Sequence, residues 1–131
     1  VSTQSTGKML SIISSIQYQV IGYQAKPEIL SEINQRANVK LIVFHAPWCP
    51  DCQRQMPIIN NIFEQLNVKT ESVEVDYQKK DKSGLTVKYG IARIPTLLIL
   101  QNEEEVGRIV EQPFMSWEDD ILVTLITKNL K

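Results

Sequence analysis

The hydrophobic residues of this chain switch along its length between helical and extended spacing. Near the N-terminus they predict a short amphipathic helix, built on Met9, Leu10, Ile12, Ile13 and Ile16. Residues 18–21 then predict a strand that ends at Gly22. Pro27 suits the first turn of a second helix, and residues 41–44 form the continuous apolar run of a central strand covered on both faces.

The middle of the chain continues this alternation. A helix is predicted from about Cys49, and Pro57 interrupts it and predicts a kink. The inward face of this helix should consist of Met56, Ile59, Ile62, Phe63 and Leu66. Residues 73–75 mark the next strand, and residues 85–89 predict a short helix that Gly90 ends.

The chain closes with a predicted hairpin and a helix. Residues 96–100 and 106–110 predict the two strands, and the acidic segment 102–105 predicts their turn. Ser116 starts the last helix with capping-box spacing to Asp119. The apolar face of that helix should be Ile121, Leu122, Leu125 and Ile126. The order is therefore β-α-β-α-β-α-β-β-α behind one leading helix, which predicts a single α/β domain.

Composition narrows the class of protein. The chain has 131 residues, of which 43% are hydrophobic and 22% charged, so it is long enough for one compact domain. Its 14 basic and 15 acidic residues leave a net charge of −1, which argues against nucleic acid as a partner. No apolar stretch approaches the roughly 20 residues that span a bilayer. We expect a cytoplasmic protein, or an extracytoplasmic one if Val1 follows a cleaved export signal.

Both cysteines of the chain lie in residues 48–52, Trp-Cys-Pro-Asp-Cys. Cys49 falls at a predicted helix N-terminus, where unpaired N–H groups favour a thiolate, and Cys52 lies one turn further in, where it can resolve a mixed disulfide. We therefore expect Cys49 to be exposed and Cys52 to be buried. The alternative is half of a zinc site, but two further ligands are needed and the chain offers only His45 and carboxylates. Redox chemistry is favoured, with no metal.

The residues around the dithiol have two interpretations each. Asp51 would disfavour a neighbouring thiolate, or it simply stabilises the first helical turn. His45 would lend positive charge to the site, or it is a partly buried residue with one hydrogen bond. Trp48 would flank a substrate groove, or it is an ordinary aromatic between surface and core. The sequence leaves each pair of alternatives open.

These motifs resemble the thioredoxin family. The likeness rests on Trp-Cys-x-x-Cys after an apolar strand, on Pro57 eight residues after the first cysteine, and on residues 88–96, Lys-Tyr-Gly-Ile-Ala-Arg-Ile-Pro-Thr. It covers about residues 17–131 and leaves residues 1–16 as an N-terminal extension with one short helix. The resemblance implies a thioredoxin fold, in which helices flank a central mixed β-sheet. It also implies a substrate groove lined by Trp48, Pro50, Ile94, Pro95 and Glu111, with a cis peptide bond at Ile94–Pro95 rather than a trans one.

The function implied by this resemblance is thiol–disulfide exchange, mainly as a disulfide reductase. Such a protein needs no bound cofactor, acts on protein or small-molecule disulfides, and receives electrons from a separate reductase. We expect a monomer, although the sequence leaves the oligomeric state open. The alternatives are a disulfide isomerase or weak oxidant with few clients, and a thioredoxin-fold binding module whose dithiol is incidental.

Two departures from the family pattern bear on mechanism. Val43 stands where many thioredoxins carry a buried acid that assists deprotonation of the second cysteine, so Glu71 and Glu74 become the candidates for that role. Glu111 stands where the family has a glycine in the groove wall. A glycine admits the backbone of a partner, whereas Glu111 would obstruct it or select basic partners. We therefore expect a narrower range of protein substrates than that of a general thioredoxin.

Overall fold

The structure is a computed structural model that describes residues 23–128. Within these residues the elements are α1 (Pro27–Asn34), β1 (Val39–His45), α2 (Pro50–Gln65), β2 (Lys69–Glu74), α3 (Leu85–Lys88), β3 (Thr96–Gln101), β4 (Glu104–Val110) and α4 (Trp117–Thr127). The predicted order is confirmed from α1 onward. The leading helix and the strand predicted at residues 18–21 lie outside the described residues, as does the whole of the proposed extension, residues 1–16.

The four described strands form one mixed sheet in the order β2-β1-β3-β4. β1 pairs with β2 in parallel, whereas the β1–β3 and β3–β4 pairs are antiparallel. β1 is central and apolar, and five of its seven residues are buried. The predicted central mixed sheet is therefore confirmed, and its helices cover it as an α/β fold requires.

Alternation along β1 divides the buried residues into two clusters on opposite faces of the sheet. Leu41 and Val43 belong to the first cluster, which also contains apolar residues of α1, α2 and α4. Ile42 and Phe44 belong to the second cluster, together with both cysteines and Ile94. The dithiol thus lies against the second face, just beyond the end of β1. None of the helices in the described part of the chain is long and apolar enough to cross a bilayer.

Several element boundaries differ from the prediction, and two of the differences have a clear physical reason. Val75 lies beyond the end of β2, where its N–H donates to the carbonyl of His45 at 2.9 Å. The hairpin turn is shorter than predicted, because β4 begins at Glu104 and only Asn102 and Glu103 remain between the strands. Both turn residues have positive φ, 53° and 67°. Two-residue turns of this kind match the right-handed twist of the strands they join, which explains the short connection.

Candidate active site

Cys49 is the N-cap residue of α2. Its backbone is extended, at φ −92° and ψ 116°, and the predicted Pro50 follows at the first helical position, where its missing N–H costs nothing. The backbone N–H of Cys52 donates to Cys49 Sγ, with a distance of 3.2 Å from N to Sγ. The sulfur therefore receives one of the N–H groups that a helix leaves unpaired at its start, as the sequence predicted.

A loop distant in sequence meets the same sulfur. The thiol of Cys49 donates to the backbone carbonyl of Ile94, with Sγ 3.7 Å from the oxygen. The Ile94–Pro95 bond is cis, as predicted. The hydroxyl of Thr96 donates to the carbonyl of Arg93 at 2.7 Å and closes the loop on its far side. The fold thus joins the two motifs of the sequence at one atom, Cys49 Sγ.

The prediction that Cys49 is exposed is wrong. Only 6% of Cys49 is accessible, against 2% of Cys52. The reason is that the Cys49 side chain turns inward, toward the helix start and the Ile94 carbonyl, and packs in the second cluster beside Trp48 and Ile91. The predicted burial of Cys52 is confirmed, and both side chains are free thiols.

Burial also controls the protonation of Cys52. Loss of solvent raises the pKa of the Cys52 thiol well above its usual range, and a hydrogen bond with Cys49 and the charge of Asp51 raise it further. Cys52 is therefore a neutral thiol at neutral pH. Val43, which replaces the acid of the family pattern, is completely buried in the first cluster.

The two acids considered as replacements for the missing one face elsewhere. Glu71 forms an ion pair with Lys40 at 3.0 Å and is partly exposed. Glu74 is exposed and lies beside His45 in the β1–β2 register. Neither carboxylate makes a contact with Cys52 within the described residues, so the structure gives no support to either as its proton acceptor.

Asp51 and His45 have partners that the sequence analysis missed. Asp51 forms an ion pair with Arg54, three residues later on α2, a spacing that could have revealed it. The His45 side chain is partly buried, and this burial lowers its pKa although nearby Glu74 raises it. Since an imidazole with a lowered pKa is neutral at pH 7, His45 supplies no positive charge there, and the structure favours its packing role.

Trp48 is held by an aromatic stack. Its ring lies over that of Tyr77, with centroids 4.8 Å apart and planes 18° from parallel. Asp76 fixes the loop that carries Tyr77, because one of its carboxylate oxygens accepts from the N–H groups of Gln78 and Lys80. Tyr77 is 77% exposed, and no sequence signal linked it to Trp48.

Glu111 lies beside the cis-proline loop. Its N–H donates to the carbonyl of Pro95 at 2.7 Å, and its carboxylate lies 3.4 Å from the guanidinium of Arg93. Its φ of 69° is in the left-handed region, where a side chain carries a conformational cost that glycine avoids. The structure therefore places Glu111 beside the cis-proline loop and adds Arg93, which the sequence analysis did not select.

Across residues 23–128, no group of three or more His, Cys, Asp and Glu side chains is arranged to hold a metal ion.

The family model for thioredoxin matches residues 21–123. Thioredoxin from Bacillus subtilis is 30% identical over 92 residues, which cover 70% of this chain and 83% of that protein. Thioredoxin 1 from a Nostoc strain is 33% identical over 70 residues, or 53% of this chain and 64% of that protein.

Solved structures agree on the fold. A variant of thioredoxin from Halobacterium salinarum superposes with a TM-score of 0.52 at 26% identity, covering 82% of this chain and 88% of that one. A Pseudomonas aeruginosa protein of unknown function gives a TM-score of 0.55 at 15% identity, covering 97% of this chain and 78% of that one. At 15% identity, the similarity to the Pseudomonas aeruginosa protein shows a shared fold and nothing more.

Proposed function

The chain belongs to the thioredoxin family, and on that premise we propose that it works as a disulfide reductase. Family membership supports thiol–disulfide oxidoreductase activity in general, whereas the direction of the reaction is our proposal. The observation that supports thiol–disulfide exchange at Cys49 is the position of its Sγ, between the N–H of Cys52 and the carbonyl of Ile94. One neighbour favours negative charge on the sulfur, and the other belongs to a loop against which an extended substrate can pair.

The proposed reaction has two exchange steps. The thiolate of Cys49 attacks one sulfur of the substrate disulfide, so that a mixed disulfide forms and the other substrate sulfur leaves as a thiolate, which takes up a proton. The thiolate of Cys52 then attacks Cys49 Sγ, forms the Cys49–Cys52 disulfide and releases the second substrate thiol. The substrate gains two electrons and two protons, and the protein dithiol loses them.

This scheme requires no bound cofactor, because the two thiols hold the electrons themselves. A separate reductase must return two electrons and two protons to the Cys49–Cys52 disulfide after each cycle. The substrates are protein or small-molecule disulfides, for which the family provides the support. The burial of both cysteines favours one second candidate, a binding module whose dithiol is incidental.

The reduction potential tests the proposed direction. We expect a value close to the roughly −270 mV of thioredoxin and far from the roughly −120 mV of DsbA. The measurement is equilibration of the dithiol with glutathione or dithiothreitol buffers, followed by alkylation and mass analysis. Asp51→Asn serves as a comparison and should raise the potential by at most about 20 mV, because exposed paired charges contribute only about 1 kcal/mol or less. A wild-type potential near that of DsbA would contradict the proposed reductase function and indicate an oxidant instead.

The raised pKa of Cys52 predicts how the second step depends on pH. Burial, its main cause, persists in the mixed disulfide, so the reactive thiolate remains a small fraction up to alkaline pH. The rate of resolution should therefore rise about tenfold per pH unit from pH 6 to 9. Reaction of the reduced protein with an aromatic disulfide reagent measures it, since the second release of coloured thiol reports resolution. A rate that levels off at about pH 8.5 would show that Cys52 ionises with the ordinary pKa of a cysteine thiol.

A further inference from the structure

Arg93 and Glu111, which carry opposite charges, adjoin the Ile94–Pro95 segment that contacts the sulfur of Cys49. Arg93 directly precedes Ile94, whose carbonyl accepts the Cys49 thiol. Glu111 binds the carbonyl of Pro95 through its N–H, and its carboxylate lies 3.4 Å from Arg93. Consecutive Cα atoms are about 3.8 Å apart, so the backbone of Arg93 lies one residue from the carbonyl that meets Cys49 Sγ, and Glu111 is hydrogen-bonded to the residue on the other side of Ile94. We therefore expect residues that flank a substrate disulfide at Cys49 to come near this pair.

The two partners differ in what they can still bind. The Glu111 main chain is fixed by its 2.7 Å bond to Pro95, and 38% of its side chain is accessible. The Arg93 side chain is 69% accessible, and its only ionic contact within the described residues is the single long one to Glu111. A guanidinium has five N–H donors in a planar fork that matches a carboxylate. Arg93 therefore retains donors directed to solvent, while Glu111 holds one side of the guanidinium.

We propose that Arg93 determines substrate specificity by binding a carboxylate next to the reacting cysteine of the substrate. This proposal rests on the proposed reductase function and names its preferred substrates, disulfides flanked by Asp or Glu. Glu111 acts as the positioning residue that holds the arginine against the loop. The pairing also offsets the charge of Glu111, so the basic partners expected from Glu111 alone are not the preferred ones.

Matched disulfide peptides test this assignment. Three peptides with one internal disulfide differ only at the residue after the first cysteine, which is Asp, Asn or Lys. The second-order rate constant for their reduction by the fully reduced protein is measured by chromatography at low salt. We expect the Asp peptide to react about twofold to fivefold faster than the Asn peptide, the range for exposed charge pairs, and the Lys peptide to react more slowly. Added salt should reduce the differences.

Variants separate the arginine from a general effect of charge. In Arg93→Gln the ratio of Asp to Asn rates should fall to about one, and Arg93→Lys should restore part of it. Glu111→Gln should raise the ratio, because the amide oxygen can still accept from the guanidinium and hold it in place, whereas the competing negative charge is gone. The control is Arg36→Gln, which removes another arginine paired with a glutamate, Glu32 on α1, and should leave the ratio as in the wild type.

Each other result has a definite meaning. Equal rates for the three wild-type peptides, a preference for Lys, or an Asp preference that survives in Arg93→Gln would each overturn the assignment. Reduction of the Asn peptide reports the proposed function separately. If no peptide is reduced at all, the reductase proposal fails, whereas reduction without charge preference refutes only the role of Arg93.

Discussion

Replacement of Cys52 by Ser is expected to convert turnover of protein disulfides into stoichiometric covalent capture. Cys49 retains its place at the start of α2 and attacks as before, but no second thiol can release the mixed disulfide. Turnover should fall by about a thousandfold or more, since residues that act as one catalytic unit fail together. Serine differs from cysteine at one atom, so packing of the second cluster should change little.

Capture is measured on non-reducing gels and by mass spectrometry with a folded disulfide protein as substrate. The matched control is Cys49→Ser, which retains the buried Cys52 thiol and should capture nothing. The contrast also tests whether the inward turn of Cys49 is compatible with attack, because only 6% of this residue is accessible. Alkylation of the reduced wild type should likewise modify Cys49 before Cys52.

Three results would contradict this account. Non-covalent association without capture by either variant would favour the binding module. Capture by Cys49→Ser and not by Cys52→Ser would reverse the order of attack. Retained turnover in Cys52→Ser would mean that an external thiol resolves the intermediate, which would remove Cys52 from the second step.

The elements that the sequence predicted well are those with strong local signals. The apolar run of β1 identified the central strand, because a strand that is buried on both faces has apolar residues at successive positions. Pro50 and the cysteines on either side of it identified the start of α2, and Ser116 caps α4 through the N–H of Asp119 as predicted. Each of these signals depends on residues that are close together in the chain, so the local sequence is enough to predict the element.

The features that could not be predicted depend on contacts between distant residues. Burial of Cys49 results from its bond to Ile94, 45 positions away, and the stack of Tyr77 on Trp48 joins two separate loops. The pairing of Arg93 with Glu111 requires β4 to end beside the cis-proline loop. The family resemblance supplied the position of Glu111, but its ionic partner depends on the side chain at residue 93, which the family pattern did not specify.

In helix α4 the hydrophobic pattern predicted the burial of two residues wrongly. Ile126 was predicted to face inward, yet 41% of it is accessible. Glu118, which a polar pattern assigns to solvent, is only 1% accessible. The buried stripe runs Glu118, Ile121, Leu122 and Leu125, which is regular helical spacing with a carboxyl group at its first position. Glu118 is therefore buried because of its position on the helix, and hydrogen bonds have to compensate for the desolvation of its carboxyl group.

Substitution of Glu118 by Ala is expected to lower the free energy of unfolding by about 2 to 4 kcal/mol. The hydroxyl of Tyr23 donates to one carboxyl oxygen, and the N–H of Lys26 donates to the other at 3.1 Å. Burial and the bond to Glu118 also raise the pKa of the Tyr23 hydroxyl above its usual range. Removing the carboxyl group leaves two donors without their acceptor and detaches the segment before α1 from α4.

Urea unfolding of a small series measures this effect. Glu118→Gln should cost less than Glu118→Ala, because its amide oxygen can still accept one of the two bonds. A double-mutant cycle with Tyr23→Phe should give a coupling energy of about 0.5 to 3 kcal/mol, as for residues in direct contact. The control is Glu64→Ala at an exposed position of α2, which should stay within about 0.5 kcal/mol of the wild type. Equal costs for Glu118→Ala and Glu64→Ala would mean that the buried carboxyl contributes no net stability, because its desolvation then offsets both hydrogen bonds.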